Sequence, residues 1–189
     1  MSEAFEPTLS YAAYLEAERA ADRKHEFVAG EVYARAGGTI EHNRIASQAL
    51  LELGVALRGR PCRAINSDQR LRIADADMSC YPDVTIVCGD DLRADDDDDA
   101  LTNPTVVLEV LSPSTEAHDR GAKFAALRTL PSLQQFVLLH QARRQAEVFT
   151  RSDDGSWHLT FHSERLPLSS LDIEVDLAAV YEGVELADG

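Results

Sequence analysis

The sequence predicts an α/β fold, a mixed central sheet flanked by helices, and three observations carry that expectation. Strand-like apolar runs cluster in the middle of the 189 residues, at about 62–65, 70–73, 83–88, 105–111 and 133–139. Amphipathic stretches of helical period stand before and between them. No internal repeat, glycine-rich nucleotide loop or linker divides the chain, so 1–189 reads as one domain with its core over about 8–183.

In chain order, the first helix is expected over 9–20, where Tyr11, Tyr14, Leu15 and Glu18 recur at helical spacing and Thr8 or Ser10 supplies the cap. Residues 25–35 read as a hairpin that turns at Ala29-Gly30. A second helix over 41–57 carries the apolar stripe Ile45, Ala49, Leu53 and Leu57, with His42 near its start. The β-branched run at 105–111 predicts a central strand covered on both faces. A third helix over 116–130 ends before Pro131. Segments 146–151 and 157–161 form a hairpin through Asp153-Asp154-Gly155, and a strand at 173–175 with a short helix at 177–181 closes the chain.

The formal net charge of −15 argues against a protein that wraps nucleic acid with a broad basic face. Asp90, Asp91 and the run Asp95 to Asp99 read as a self-repelling, solvated loop, and no glycines space these acids like a calcium loop. Arg58, Arg60, Arg63, Arg70, Arg72, Arg143, Arg144 and Arg151 are candidates for local basic patches, with solvated surface arginines as the plain alternative. Cys62, Cys80 and Cys88 are odd in number and show no close metal-binding pairing, so reduced, partly buried thiols are expected. No apolar run reaches transmembrane length and the N-terminal residues lack a signal-peptide pattern, which predicts a cytoplasmic protein without a membrane partner.

Two carboxylates carry the chemistry. Asp83 opens one apolar strand in Tyr81-Pro82-Asp83-Val84, and Glu109 sits midway through another, Val106 to Leu111. A lone ionised carboxylate in an apolar setting costs several kcal/mol or shifts its pKa. If the strands adjoin, a shared magnesium or manganese ion accounts for both. The plain alternative has Asp83 turning the backbone and Glu109 facing solvent. Lys123 stands four residues after Asp119, which fits either an exposed helical ion pair or an ammonium pointing back at the carboxylates. His42 is a candidate base or partner to a ligand, and equally a structural histidine.

The succession Glu26, Gly30-Glu31, His42-Asn43-Arg44, Tyr81-Pro82-Asp83-Val84 and Glu109 to Thr115, then Asp119 to Lys123 and Pro131 to Phe136, resembles the Uma2 family (DUF820) of restriction-endonuclease-like proteins. The resemblance covers nearly the whole chain, to about Gly183. It implies a PD-(D/E)xK nuclease core with Asp83 as the first catalytic aspartate and Glu109 as the second acidic ligand. The lysine usual two positions after that acid is replaced by Leu111, and Lys123 looks like its migrated substitute from the following helix. Glu26 matches a further acidic ligand, and His42 the histidine opening the next helix. Leu127 and the surroundings of Phe136 depart from the family's aromatic habit, a matter of packing more than chemistry.

The resemblance thus implies a DNA endonuclease that uses Mg2+ or Mn2+ without an organic cofactor. Asp83, Glu109 and Glu26 would be its metal ligands, Lys123 and His42 their catalytic companions, and a homodimer its working form. Other readings are a catalytically inactive nucleic-acid-binding or regulatory protein, a metal-dependent hydrolase of another phosphoester, and a structural, oligomer-forming role.

Overall fold

Helix boundaries follow their caps. The Ser10 hydroxyl accepts the Ala13 N–H and starts α1, Tyr11–Ala20; Thr39 does the same for the His42 N–H and starts α2, Ile40–Ala56. The structure, a computed structural model, describes residues 9–35 and 37–186, so Thr8 lies outside the described residues. Between the two helices come β1, His25–Val28, and β2, Glu31–Ala34, joined as expected at Ala29-Gly30. Both turn residues have positive φ, 48° at Ala29 and 90° at Gly30, the primed geometry that suits a tight hairpin.

The middle of the chain supplies β3, Cys62–Asn66; β4, Arg70–Ile73; β5, Met78–Cys80; β6, Val84–Cys88; β7, Arg93–Ala94; β8, Asp97–Leu101; and β9, Val106–Val110. A helical stretch follows in three parts: α3, Glu116–His118; a π-helical turn, Asp119–Lys123; and α4, Phe124–Leu127. The chain then forms β10, Gln135–Leu139; β11, Ala146–Arg151; β12, Trp157–His162; β13, Arg165–Leu168; β14, Ile173–Asp176; and α5, Leu177–Val180.

The central sheet has the order β12-β11-β10-β9-β6-β3, with β9 and β10 parallel and the other pairs antiparallel. The parallel pair requires a crossover, and the helical stretch between the two strands provides it. A second sheet, β2-β1-β5-β4-β8-β7, and the β13–β14 pair complete the fold. It is an α/β architecture with a mixed central sheet and flanking helices.

Period-two alternation gives the central sheet two dry faces. Val106, Leu108, Val110, Val137 and Leu139 join the α2 and α5 side chains in one core. Val107, Leu111, Phe136 and Leu138 join Phe124, Leu127 and the second sheet in the other. Glu109 alternates with Val107 and Leu111, so it shares their face, the one covered by the helical stretch.

Two sequence expectations are overturned. Residues 95–99 are not simply a solvated loop, because β8 begins at Asp97 and that side chain is buried. Arg70 binds Asp97 through two nitrogens, at 2.6 and 2.9 Å, and Tyr11 donates to it at 2.9 Å. Arg72 reaches Asp77 and Asp96. Arginines from β4 thus offset the repulsion that made the acidic run look like solvent-facing loop. The second correction concerns thiols: Cys62 and Cys88 form a disulfide, and Cys80 alone is free and buried. Their sequence separation of 26 hides the fact that the β3–β6 register sets them directly opposite.

Among the described residues, no helix is long and apolar enough to cross a membrane.

Candidate active site

Strands β6 and β9 pair antiparallel with Val84 opposite Leu108, and continuing that register sets Asp83 against Glu109. The contacts agree. The Val110 N–H donates to Asp83 Oδ2 at 2.8 Å, and the Asp83 N–H points at Glu109 Oε2 from 3.4 Å. Both side chains are buried, so the solvent-facing alternative for Glu109 does not hold.

Lys123 comes from the π-helical turn. A π turn inserts extra backbone into a helix and redirects the residues that follow, and such turns recur at functional sites. Here Asp119 and Lys123 both face inward, and the Lys123 ammonium lies 2.7 Å from Glu109 Oε1, 3.1 Å from Glu26 Oε1 and 3.6 Å from Asp119 Oδ1. Only 4 % of its side chain is exposed, which rules out the exposed ion pair that its spacing from Asp119 also allowed.

Glu26 arrives from β1 in the second sheet. The segment Tyr81-Pro82-Asp83 steps from β5 in that sheet to β6 in the central one, and the Tyr81 N–H donates to Glu26 Oε1 at 3.2 Å. The site therefore occupies the seam between the sheets. From the first turn of α2, His42 Nε2 approaches Asp83 Oδ2 to 3.1 Å. A Cβ on Gly38 would collide with the His42 ring, 2.5 Å from Nδ1, so the backbone itself packs on the imidazole. The five residues singled out from the sequence, Glu26, His42, Asp83, Glu109 and Lys123, come together in one cluster.

Three neighbours were not among the predicted site residues. Arg35, just past β2, donates to Asp83 Oδ1 at 2.6 Å and to the Tyr81 carbonyl. Asp119 is buried beside Lys123, and His118 Nε2 lies 3.8 Å from Glu26 Oε2. An arginine at a hairpin's end carries no sequence signal that separates it from a surface arginine. For Asp119 the signal was its helical spacing from Lys123, which says the two share a face but not which face.

Electrostatics divides the carboxylates. Burial alone would push Asp83 up, but the hydrogen bond and charge of His42, with Arg35 and the Val110 N–H, hold it below the usual carboxylate range. Glu26 is also held low against its burial, chiefly by Lys123 and the Tyr81 N–H. Glu109 goes the other way. Its complete burial, reinforced by the negative charges of Asp83 and Asp119, outweighs Lys123 and pushes it up to about 8. Lys123 stays firmly protonated: burial opposes its charge, but Glu109 and Glu26 more than compensate.

Metal fit can be judged from the donor set. Four carboxylates, Glu26, Asp83, Glu109 and Asp119, face two permanent cations, Arg35 and Lys123, so the cluster carries two negative charges in excess when every acid is ionised. Burial first, and then the negative charges of Asp83 and Asp119, raise Glu109. A hard divalent cation with oxygen ligands would relieve the excess charge. Among the described residues, no three His, Cys, Asp or Glu side chains are gathered so as to hold a metal ion, and ammonium, guanidinium and imidazole groups lie against the carboxylate oxygens. The donors suit a magnesium-like ion in chemical kind and in charge, and their arrangement in this structure is that of an ion-paired cluster.

Fold and cluster together define an α/β protein with a buried carboxylate–lysine site at the junction of two sheets. The chain belongs to the Uma2 family, described as "Putative restriction endonuclease", whose model matches residues 11–179. Two proteins of Synechocystis sp. are similar along most of their length, both named only as uncharacterized. One, slr1290, is 34% identical over 94% of this chain and 94% of its own; the other, sll1609, is 35% identical over 80% and 86%. A crystal structure from Anabaena variabilis, of "a putative nuclease belonging to DUF820", superposes with a TM-score of 0.69 at 15% identity, covering 85% of this chain and 91% of that one. At that identity the likeness speaks for the fold.

Proposed function

We propose that this protein is a divalent-metal-dependent phosphodiesterase acting on DNA, a single domain built on a PD-(D/E)xK core. The observation that carries the reading is Lys123 Nζ at 2.7 Å from Glu109 Oε1, with Asp83 opposite Glu109 on the neighbouring strand. It places an acid, a second acid and an ammonium in one buried cluster although the lysine comes from a different element than usual.

Asp83 and Glu109, with Glu26, would hold magnesium or manganese. Bound there, the ion would polarise the scissile phosphate and lower the pKa of the attacking water. Lys123 orients that water and offsets charge that develops on a phosphoryl oxygen. His42 keeps Asp83 ionised and aimed, with the Gly38 backbone fixing its ring. The family description favours a nuclease, and we include in the proposal a homodimeric working form and a cytoplasmic location.

A second reading, hydrolysis of a smaller phosphoester, is favoured by the charge of −15 and by the pairing of Arg70 and Arg72 with aspartates. Those arginines are spent inside the fold and cannot track a phosphate backbone.

The test compares cleavage of linear, supercoiled and single-stranded DNA by wild type and Asp83→Asn, each with magnesium, manganese or EDTA. Metal-dependent cutting that the substitution and EDTA both abolish is the expected result. Absence of cutting by folded protein in every condition would overturn the DNA reading and turn attention to small phosphoesters or to an inactive binding role.

A further inference from the structure

Asp83 does not stand bare in this site. We propose that Arg35 is a resident counter-ion that holds Asp83 in the metal-free protein and competes with the divalent cation for it. The inference deepens the metal-dependent reading and rests on it.

The geometry makes the competition specific to one oxygen. Asp83 Oδ2 accepts the Val110 N–H at 2.8 Å and faces His42 Nε2 at 3.1 Å, contacts that fix the carboxylate's orientation. Oδ1 is held by Arg35 Nη2 at 2.6 Å. The other guanidinium nitrogen donates to the Tyr81 carbonyl, so one side chain clamps both ends of the Tyr81-Pro82-Asp83 step between the sheets. A cation approaching Oδ1 meets a charge-assisted hydrogen bond already in place. The Asp83 side chain is 4 % exposed and that of Arg35 23 %, so the arginine is the partner with access to solvent. Arg35 follows directly on β2, and at Gly37, two positions on, an added Cβ would meet nothing within 4 Å.

The alternative is a purely structural arginine, and the two roles predict opposite signs. A clamp that merely shapes the site loosens Asp83 when removed and weakens metal binding. A competitor strengthens binding when removed, because the incoming cation no longer displaces a positive charge or sits beside one.

Manganese binding by calorimetry decides between them, measured without substrate on wild type, Arg35→Gln, Arg35→Lys and Asp83→Asn. Melting of each protein in EDTA and in saturating Mn2+ accompanies the titrations. Arg35→Gln is expected to bind Mn2+ roughly tenfold tighter than wild type, and to melt lower in EDTA with the gap closing in Mn2+. Should Arg35→Gln fail to fold, Arg35→Lys decides: it keeps the charge, loses the double contact, and should bind about threefold tighter. Equal or weaker binding by the folded variants overturns the role of Arg35 while leaving the metal site intact. Binding that Asp83→Asn does not alter, or no binding by any of the four, overturns the metal reading and this inference with it.

Discussion

Asp83 and Glu109 face each other across the β6–β9 ladder, and the backbone N–H of the aspartate points at the carboxylate of the glutamate from 3.4 Å. Two carboxylates so close cannot both ionise freely in a dry setting, and the protein resolves the conflict unequally. His42 and Arg35 keep Asp83 charged, whereas at Glu109 burial, joined by the charges of Asp83 and Asp119, outweighs Lys123.

That asymmetry fixes a pH dependence. Glu109 rises from an ordinary 4.5 to about 8 in the folded protein, so between those values the native state binds the extra proton. The metal-free protein should therefore lose stability as pH climbs from 5 to 8, by on the order of a few kcal/mol. Asp83 and Glu26 are depressed and act oppositely: their contribution is present above the unfolded carboxylate range and disappears as pH falls through their folded values. Urea denaturation in EDTA across this range measures the sum, and Glu109→Gln should flatten the decline on its alkaline side. A curve unchanged by that substitution would show that Glu109 is not the group responsible.

Asp97 anchors the second sheet. Removing one partner of a buried, paired charge typically costs about 3–5 kcal/mol, and Asp97→Ala is expected to fall in that range. Its neighbour Asp95 is exposed, and Asp95→Ala should stay within roughly 0.5 kcal/mol of wild type. Paired denaturant titrations of the two variants test the assignment. Similar small effects at both positions would mean that the Arg70–Asp97 contact contributes little.

The Cys62–Cys88 bond can be counted chemically. Protein unfolded without reductant should expose a single reactive thiol, that of Cys80, and three after reduction. Losing the cross-link is expected to cost about 2–4 kcal/mol, seen as an earlier unfolding midpoint in dithiothreitol. Three thiols before reduction would show that the cysteines are not joined in the purified protein.

Ala29 offers a gain instead of a loss. It holds φ of 48°, where a β-carbon crowds the backbone by roughly 1–2 kcal/mol. Asparagine tolerates that region better, and Asn-Gly is a favoured pair for this turn. Ala29→Asn should therefore raise stability by about 0.5–1 kcal/mol, read as a higher melting temperature with the same cooperativity. A lower melting temperature would count against the strain.

Much of this was legible in the chain because the signals were local. Hydrophobic period and capping residues marked α1, α2 and the buried strands of the central sheet, and carboxylates inside apolar runs marked Asp83 and Glu109. What escaped depended on partners distant in sequence. The aspartates of 95–99 looked solvated because their arginines lie on β4, more than twenty residues away. Strand β5 is three residues long, too short to show alternation, and its place between β1 and β4 comes from pairing alone. Arg35 belongs to the same class: its importance lies in Asp83, 48 positions later.

The wide distribution of the cluster has a consequence in time. Glu26 and Arg35 lie on or beside the first hairpin, His42 on α2, Asp83 and Glu109 on the central sheet, and Lys123 on the π-helical turn beyond it. A chain emerging from the ribosome presents Glu26, Asp83 and Glu109 before Lys123, and β10, which flanks β9, later still. Arg35 thus precedes the aspartate it holds while Lys123 follows the acids, and the complete cluster belongs only to the finished fold. A cell that makes this protein does not meet a half-built site with all its chemistry in hand.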